Sequence, residues 1–431
     1  MMNKDTFIIG FMLFALFFGA GNLIYPPVLG LHSGSSFITA IAGFVITGIG
    51  LPILAVTAIS FVKKDAREIA NRVHPLFGIL FTTAVYLAIG PFFGIPRAAT
   101  VGYEMSIEPF LNNVSPYTLL LFTSVFFIFV FFISLNPSKM VDRIGQYLTP
   151  ILLLSITALV IGAIILFDQP ATAPTSDYAS SPFFKGFVEG YLTMDAIAAL
   201  AFGIIVVNAF KERGISTQKG LITATLKAGL IAGVGLITVY TSIGWIGTKV
   251  AGSASFSNGG EILSHAATSI FGTFGTLLLG IIVTLACFTT SVGLVVACAQ
   301  FFSKLVPISY SLIAFIITFS SFVIANQGLD AIISFSVPVL VFLYPIAIVL
   351  IMLTFLRSLF QNRPEVYRGA ILFTAVISLN DGITSYGIDI PTVTNYVMKI
   401  PLFDIGLGWL LPAIIGGCIG FLVSKLRPQK A

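Results

Sequence analysis

The chain has 431 residues, of which 57% are hydrophobic and only 9% are charged. Soluble globular proteins carry roughly 25% charged residues, so this composition cannot cover a water-exposed surface. It predicts an all-α integral membrane protein, and the three scattered histidines and three scattered cysteines argue against a metalloenzyme or a disulfide-rich fold. The net charge of +5 is not clustered with aromatic residues, so no nucleic-acid partner is expected.

Apolar stretches follow one another along the whole chain. A helix needs about 20 apolar residues to cross the hydrocarbon core of a bilayer. The loops between the stretches are too short for a separate soluble domain, so we expect one polytopic domain over residues 1–431. The sequence predicts twelve membrane spans, at 6–31, 36–61, 76–103, 117–136, 145–167, 184–208, 220–248, 266–303, 306–326, 331–357, 367–387 and 405–425.

The positions of the basic residues predict the orientation in the membrane. With a cytoplasmic N-terminus, 18 of the 22 Lys and Arg residues fall on the inner side. The remaining residues lie in outer loops or at outer span ends, and they are Arg97, Lys185, Lys249 and Lys399. Because cytoplasmic loops are enriched in Lys and Arg, both termini are predicted to be cytoplasmic.

The first predicted span contains Phe17-Phe18-Gly19-Ala20-Gly21-Asn22-Leu23-Ile24-Tyr25-Pro26-Pro27. Gly and Pro destabilise a helix interior by about 1 and 3 kcal/mol relative to Ala, so this segment predicts an interrupted helix. Irregular backbone at membrane depth persists only where it is buried in protein or lines a cavity, and in transporters such breaks hold substrate or coupling ion. The alternative is a kink or a close helix contact, which is how we interpret Gly416-x-x-x-Gly420.

The sixth predicted span contains an acid, Asp195, 16 residues before Lys211. At 1.5 Å per residue this spacing is roughly 24 Å, which places Asp195 beyond mid-membrane toward the outer side. An acid inside a span is a functional candidate because its burial is costly. Two alternatives remain open: Asp195 caps a half-helix at a break, or it faces external water.

The eighth predicted span carries three consecutive hydroxyls, Thr289-Thr290-Ser291, in an otherwise apolar helix. They could bond back to the preceding turn, as membrane Ser and Thr commonly do. They could also provide neutral oxygen ligands for a small cation. Before this span, Glu261–Thr268 follows two glycines and fits either a short helix over an external vestibule or a plain connector.

The string from Phe18 to Pro27 resembles the signature of the bacterial branched-chain amino acid:cation symporter family, within the amino acid-polyamine-organocation superfamily. The resemblance covers essentially the whole chain and includes Thr193-Met194-Asp195, Asn208-Ala209-Phe210-Lys211 and Leu379-Asn380-Asp381. It implies a symporter that imports leucine, isoleucine and valine with a cation by alternating access. Gly19–Asn22 and Ala286–Ser291 are also similar to segments of sodium-coupled neurotransmitter-type symporters.

This second similarity implies a LeuT-like fold. Two inverted five-helix repeats would occupy 6–167 and 184–357, and two additional helices would occupy 367–425. The first helix of each repeat, spans 1 and 6, would be broken at the membrane midplane. These helices contain the two segments that the composition already singles out.

The resemblance also implies two sets of binding residues. The cation would meet the carbonyls of Ala15, Phe18 and Ala286 and the hydroxyls of Thr289 and Thr290. The substrate site would comprise Phe17, Gly19, Ala20, Gly21, Asn22, Asp195 and Phe202, with Tyr86 as a further aromatic wall. The amides of Gly19, Ala20 and Gly21 would face the carboxylate, and exposed carbonyls of both breaks would face the ammonium.

The implied coupling ion is Na⁺, because five neutral oxygens suit a small hard cation. Proton-coupled relatives can carry a Lys in span 5, whereas Ile151–Phe167 has no Lys or Arg. A proton carried by Asp195 is the alternative, with uptake of the same or other neutral amino acids.

Two other classes of function are open to test. An ion channel would need a polar ring repeated by oligomerisation, whereas this chain has two unlike breaks within one monomer. A membrane enzyme would need clustered acids, histidines or metal ligands, and the sequence shows no such cluster. We therefore expect a transporter in contact with lipid, without a cofactor other than the coupling ion and without an obligate protein partner.

Overall fold

The structure is a computed structural model, and it describes residues 4–62, 65–135, 140–252 and 254–426. Some of the basic residues that predict the orientation lie outside the described residues, namely Lys63, Lys64, Lys139, Arg427 and Lys430.

Throughout these ranges the regular structure is helical, as the composition predicts. Helices satisfy their backbone polar groups internally, which the hydrocarbon core requires. The α-helices are α1 (Lys4–Phe17), α2 (Ala20–Ser33), α3 (Phe37–Val45), α4 (Leu51–Val62), α5 (Ala66–Ala70), α6 (Pro75–Leu87), α7 (Gly94–Ser106), α8 (Pro116–Ser134), α9 (Met140–Leu166), α10 (Ser176–Ser180), α11 (Pro182–Glu189), α12 (Asp195–Glu212), α13 (Gln218–Val250), α14 (Gly259–Leu305), α15 (Tyr310–Ala325), α16 (Leu329–Leu356), α17 (Pro364–Ser385), α18 (Pro391–Val397) and α19 (Leu410–Leu426).

Fewer helices meet the length and hydropathy of a membrane span than the twelve that the sequence predicts. Within the described residues six do so, or seven if the bent pair Pro182–Thr193 and Asp195–Glu212 is one span. The predicted spans at 6–31 and 367–387 are not among them. Three shorter apolar helices add to the set: Pro150–Leu166, Tyr310–Ala325 and Leu410–Leu426.

Helix breaks account for part of this difference. The first predicted span is divided into α1 and α2, each of 14 residues, and neither half alone reaches the length of a span. Conversely, the helical stretches Ala20–Val62 and Gly259–Leu305 have 43 and 47 residues, more than twice the roughly 20 that one crossing needs. Each contains a glycine with a positive φ angle, Gly34 at 47° and Gly272 at 64°, which interrupts the regular helix.

The first break is narrower than the sequence predicts. Helix α2 continues through Pro26 and Pro27 instead of ending there. These residues pack closely on α13, because a Cβ atom added to Gly247 would overlap the carbonyl oxygen of Pro27 and one added to Gly30 would overlap that of Gly244. Close packing through small residues supports helix association in membranes and here outweighs the low helix propensity of Pro.

The third predicted span contains a break that the sequence analysis missed. A π-helical turn at Ala88–Phe92 separates α6 from α7, and Gly90 inside it has non-helical angles of φ −88° and ψ −118°. A second π-helical turn, Ile46–Gly50, separates α3 from α4. Such π-helical turns occur frequently at functional sites.

The chain forms two compact units. The first comprises Met1–Gly50, Tyr86–Asp195 and Lys227–Ile333, and the second comprises Leu51–Val85, Ala196–Leu226 and Ser334–Ala431. Each unit thus takes segments from both of the predicted repeats.

Each unit has its own helix contacts. In the first, α14 packs on α7, where the Thr284 hydroxyl donates to the carbonyl of Gly102 at 3.1 Å. In the second, Cβ atoms added to Gly416 and Gly420 would overlap the backbone of α17, which confirms the predicted glycine contact of this segment.

Candidate functional site

The first break leaves several backbone groups without hydrogen-bond partners in the described part of the chain. Helix α1 ends at Phe17, and the carbonyls of Ala15 and Phe18 accept no hydrogen bond there. The Gly19 amide donates to Oδ1 of Asn22 at 3.3 Å. The amides of Ala20 and Gly21 lie in the first turn of α2 and lack carbonyl partners, as first-turn amides do. Of the three amides predicted to face a carboxylate, two therefore remain available.

A buried hydrogen-bond network joins this break to the start of α12. Nδ2 of Asn22 donates to Oδ2 of Asp195 at 2.6 Å and also to the hydroxyl of Tyr240 in α13. The Tyr240 hydroxyl donates to the same Asp195 oxygen at 3.2 Å. Asp195 is only 5% exposed, so it does not face external water. Its carboxylate binds side chains of other helices, and Tyr240 is a partner that the sequence analysis missed.

The second break follows a different pattern. Helix α11 ends at Glu189, a 3₁₀ turn covers Gly190–Thr193, and Met194 adopts a left-handed conformation with φ 69° before α12 begins at Asp195. Gly190 lies against the π-helical turn, because an added Cβ would overlap Oγ1 of Thr47. The Thr47 hydroxyl donates to the carbonyl of Phe187 at 2.6 Å, which ties the end of α11 to that turn.

Arg97 lies between the two breaks, although the sequence analysis placed it at an outer span end. It is 3% exposed, in the first turn of α7. Nη1 donates to the Leu192 carbonyl at 2.8 Å and to the Tyr25 hydroxyl at 3.3 Å, and Nη2 donates to the Thr193 carbonyl at 3.1 Å. Two carbonyls of the second break therefore accept hydrogen bonds from a guanidinium.

The break before Arg97 had a signal in the sequence. Gly90-Pro91 and Gly94-Ile95-Pro96 precede it within seven residues, and clustered Gly and Pro are the same signal that identifies the first break. Read in that way, Arg97 follows a break instead of ending a span. Its guanidinium is a second buried charged group beside Asp195.

The hydroxyls of α14 divide between the two alternatives that the sequence leaves open. The Thr289 hydroxyl donates back to the Ala286 carbonyl at 2.9 Å. Oγ1 of Thr290 and Oγ of Ser291 are buried and have no hydrogen-bond partner in the described part of the chain. A Cβ built on Gly19 would lie 3.6 Å from Oγ1 of Thr290, so this unpartnered hydroxyl adjoins the first break.

The aromatic residues of the predicted side-chain pocket are all buried. Phe17 ends α1 at 2% exposed, and Phe202 lies in α12, in the second unit, at 1% exposed. Tyr86 stacks on Phe301 with ring centroids 4.0 Å apart. The pocket itself remains a prediction.

Sequence comparison identifies relatives over nearly the whole chain. The chain is 51% identical to the branched-chain amino acid permease BrnQ of Bacillus subtilis over 427 residues, which cover 98% of this chain and 97% of that protein. It is 46% identical over 432 residues to the permease BraB of the same organism, covering 99% and 97%. A putative branched-chain amino acid carrier protein of Staphylococcus aureus, SAR1419, is 43% identical over 442 residues, covering 99% and 98%.

Structure comparison identifies a related fold at low sequence identity. Mhp1, a nucleobase-cation-symport-1 family transporter, matches in a closed conformation with bromovinylhydantoin bound, with a TM-score of 0.62, 13% identity and coverage of 98% of this chain and 92% of that one. Its inward-facing conformation matches with a TM-score of 0.60, 13% identity and coverage of 97% and 91%. The fold is therefore LeuT-like, in an all-helical, multi-pass membrane protein.

The family profile described as branched-chain amino acid transport protein matches residues 2–427. This match and the permease relatives agree with the resemblance of the first span, and they indicate a transporter and not an enzyme. The chain belongs to the branched-chain amino acid transport protein family.

Proposed function

We propose that this chain imports leucine, isoleucine and valine across the cell membrane together with Na⁺, by alternating access. The permease relatives support the class of substrate. The observation that carries the proposal is the meeting of unpartnered oxygens and amides at the first break, in the part of the chain that the structure describes. The proposal includes twelve spans in two inverted repeats and cytoplasmic termini.

The cation would bind between α1 and α14. The carbonyls of Ala15 and Phe18 and the hydroxyl of Thr290 have no hydrogen-bond partner among the described residues, so they can turn to a metal ion without breaking a bond. Ala286 and Thr289 are bonded to each other, yet each oxygen keeps a further lone pair. These neutral oxygens suit a small hard cation, and Oγ1 of Thr290 among them is buried.

The substrate would bind beside the cation. The amides of Ala20 and Gly21 point from the positive end of the α2 dipole and would bind the carboxylate. The hydrogen bond between Asn22 and Asp195 joins the two breaks, and Phe17, which is buried at the end of α1, would contact the substrate side chain. A single methylene is worth only about 1–3 kcal/mol in such a pocket, or roughly 10- to 200-fold, so discrimination among Leu, Ile and Val should be weak and all three should be carried.

Proton coupling is a second candidate. A buried carboxyl group, that of Asp195, supports it, because this group is 5% exposed and lies in a network with two other polar side chains. A proton carried there would take the place of Na⁺. Whether the cation is Na⁺ or a proton, its binding and substrate binding strengthen each other if both favour the same conformation.

One experiment separates these candidates. The full chain in proteoliposomes should accumulate labelled leucine under an imposed inward Na⁺ gradient and not under an imposed pH gradient alone. Thr290→Ala should raise the Na⁺ concentration for half-maximal uptake roughly tenfold, which corresponds to about 1.4 kcal/mol of lost cation binding. Thr238→Ala is the matched control, because the Thr238 hydroxyl is exposed and bonds only its own helix.

The outcomes are distinct. Uptake driven by the pH gradient alone would show that the coupling ion is a proton and not Na⁺. Unchanged Na⁺ dependence in Thr290→Ala would contradict the cation site, and absence of leucine uptake under either gradient would contradict the proposed function.

A further inference from the structure

Arg97 has unused hydrogen-bonding capacity in a buried position. A guanidinium carries five N–H donors. Three of them are used by Leu192, Thr193 and Tyr25. Nε is buried without a partner in the described part of the chain, and Nη2 retains a second hydrogen. The Nε and Nη2 atoms share one edge of the guanidinium, and this edge can bind a carboxylate in a bidentate manner.

The charge of Arg97 is not paired with a carboxylate among the described residues, although the guanidinium lies over the Tyr25 ring, 5.5 Å from its centroid. Asp195 instead accepts from Asn22 and Tyr240. A buried cation without a paired anion is costly. Attraction to Asp195 at longer range offsets part of this cost but cannot satisfy Nε.

Nη2 of Arg97, one atom of this guanidinium edge, lies beside the first turn of α2. A Cβ atom added to Gly21 would be 2.6 Å from Nη2 of Arg97 and 2.9 Å from the carbonyl oxygen of Thr193. Glycine thus leaves room for the guanidinium beside the first turn of α2, where the Gly21 amide has no carbonyl partner among the described residues. Two positive features, a guanidinium and the positive end of a 14-residue helix, converge there and favour an anion between them.

We propose that Arg97 binds the α-carboxylate of the amino acid substrate directly, together with the amides of Ala20 and Gly21. Nε, Nη2 and the two amides provide four donors, which match the four acceptor positions of a carboxylate. This inference rests on the proposed function and adds a ligand that the family resemblance did not imply. Because Arg97 also holds the carbonyls of the second break, a bound carboxylate would connect both breaks through one side chain.

The proposal predicts a requirement for the carboxylate that depends on Arg97. Leucinol has the side chain and ammonium of leucine but an alcohol in place of the carboxylate. The test measures binding of leucine and of leucinol to the purified full chain at saturating Na⁺, by calorimetry, for the wild type, Arg97→Gln and Arg97→Lys. Lys185→Gln is the charge-matched control, because Lys185 is half-buried near the surface, where it pairs with Asp177 at 3.1 Å and with Glu189 at 3.9 Å.

The expected result is a change in preference between the two ligands. Arg97→Gln should weaken leucine binding roughly 30-fold or more, as loss of a partner from a buried charge pair does. The same substitution should leave leucinol binding unchanged or tighter, because it removes a cation that repels the net positive charge of leucinol. Arg97→Lys should be intermediate for leucine, and Lys185→Gln should match the wild type for both ligands.

Several outcomes would overturn the proposal. Equal weakening of both ligands in folded Arg97→Gln or Arg97→Lys would assign Arg97 to holding the breaks together, as would failure of both variants to fold. Unchanged leucine affinity in Arg97→Gln would show that Arg97 does not bind the substrate. Failure of the wild type to bind leucine would instead contradict the proposed function itself.

Discussion

The break between α1 and α2 is built from residues that disfavour a helix, whereas the break between α11 and α12 turns on Met194, which has no such tendency. Gly19 has an extended conformation at φ −128° and ψ −166°, and Gly21 follows it within the first turn of α2. Met194 instead has φ 69°, a conformation that costs an ordinary residue roughly 1–2 kcal/mol. Composition encodes the first break locally, and the second break exists because its surroundings support it.

Those surroundings are visible in the contacts. Arg97 binds the carbonyls of Leu192 and Thr193, which the end of the 3₁₀ turn leaves without helical partners. Thr193 also donates its hydroxyl to the carbonyl of Gly190 at 3.0 Å. The two breaks thus differ in origin but share one set of polar side chains, and substitutions can test each separately.

The largest effect is expected where the two breaks meet, at Asn22. In Asn22→Asp a carboxylate would replace the amide that donates to Asp195. Two buried acids would then face each other, so we expect a loss of stability of roughly 3–5 kcal/mol at neutral pH, with recovery at lower pH as one carboxyl group takes up a proton. Thermal unfolding in detergent across pH measures this.

Asn362→Asp is the control for that substitution. Asn362 lies in a loop and accepts a hydrogen bond from Nη1 of Arg72, a role that a carboxylate keeps. The stability of the Asn362→Asp variant should stay near that of the wild type at every pH. A pH-independent loss in Asn22→Asp would contradict a direct contact between the two acids.

A smaller effect is expected at Gly21, which tests the close approach at the first break. The Cβ of Gly21→Ala would lie 2.9 Å from the carbonyl oxygen of Thr193, so the second break would have to move. Overpacking of this kind costs typically 1–3 kcal/mol, and leucine uptake should fall with it.

Gly417→Ala is the matched glycine. An added Cβ there meets only ordinary contacts, at 3.7 Å from Ala370 and 3.9 Å from Val366, within a regular helix. This variant should be as stable as the wild type or slightly more stable, because Ala is the better helix former. Equal melting temperatures for both alanine variants would refute the crowded geometry at Gly21.

The smallest effect concerns the strain at Met194 and is measured between two variants. Met194→Ala and Met194→Gly both remove the same buried side chain, which is 3% exposed. Because glycine adopts positive φ without penalty, Met194→Gly should be more stable than Met194→Ala by about 1 kcal/mol. Chemical or thermal unfolding of the purified variants gives the order, and the usual helical order, with Ala above Gly, would contradict the left-handed conformation.

The two breaks also differ in how much of each can be predicted from the sequence. The apolar composition, the first break and the glycine contact of α19 all follow from local residue types. These features depend on propensities and hydropathy, which act over a few neighbouring residues. The break before α7 had the same kind of signal in its Gly and Pro residues and could have been found.

Other features depended on contacts between distant segments. Tyr240 joins Asn22 and Asp195 from more than 40 residues away in the sequence, and no local pattern connects them. Pro26 and Pro27 remain helical because α13 packs closely on them.

By itself, the sequence determined that this protein lies in lipid and where its first helix is interrupted, because both follow from the chemistry of adjacent residues. Only the tertiary structure decided where Arg97 lies. A basic residue at the end of an apolar stretch has the same local sequence whether it reaches water or is buried, and its actual position depends on carbonyls that a break almost 100 residues later leaves free.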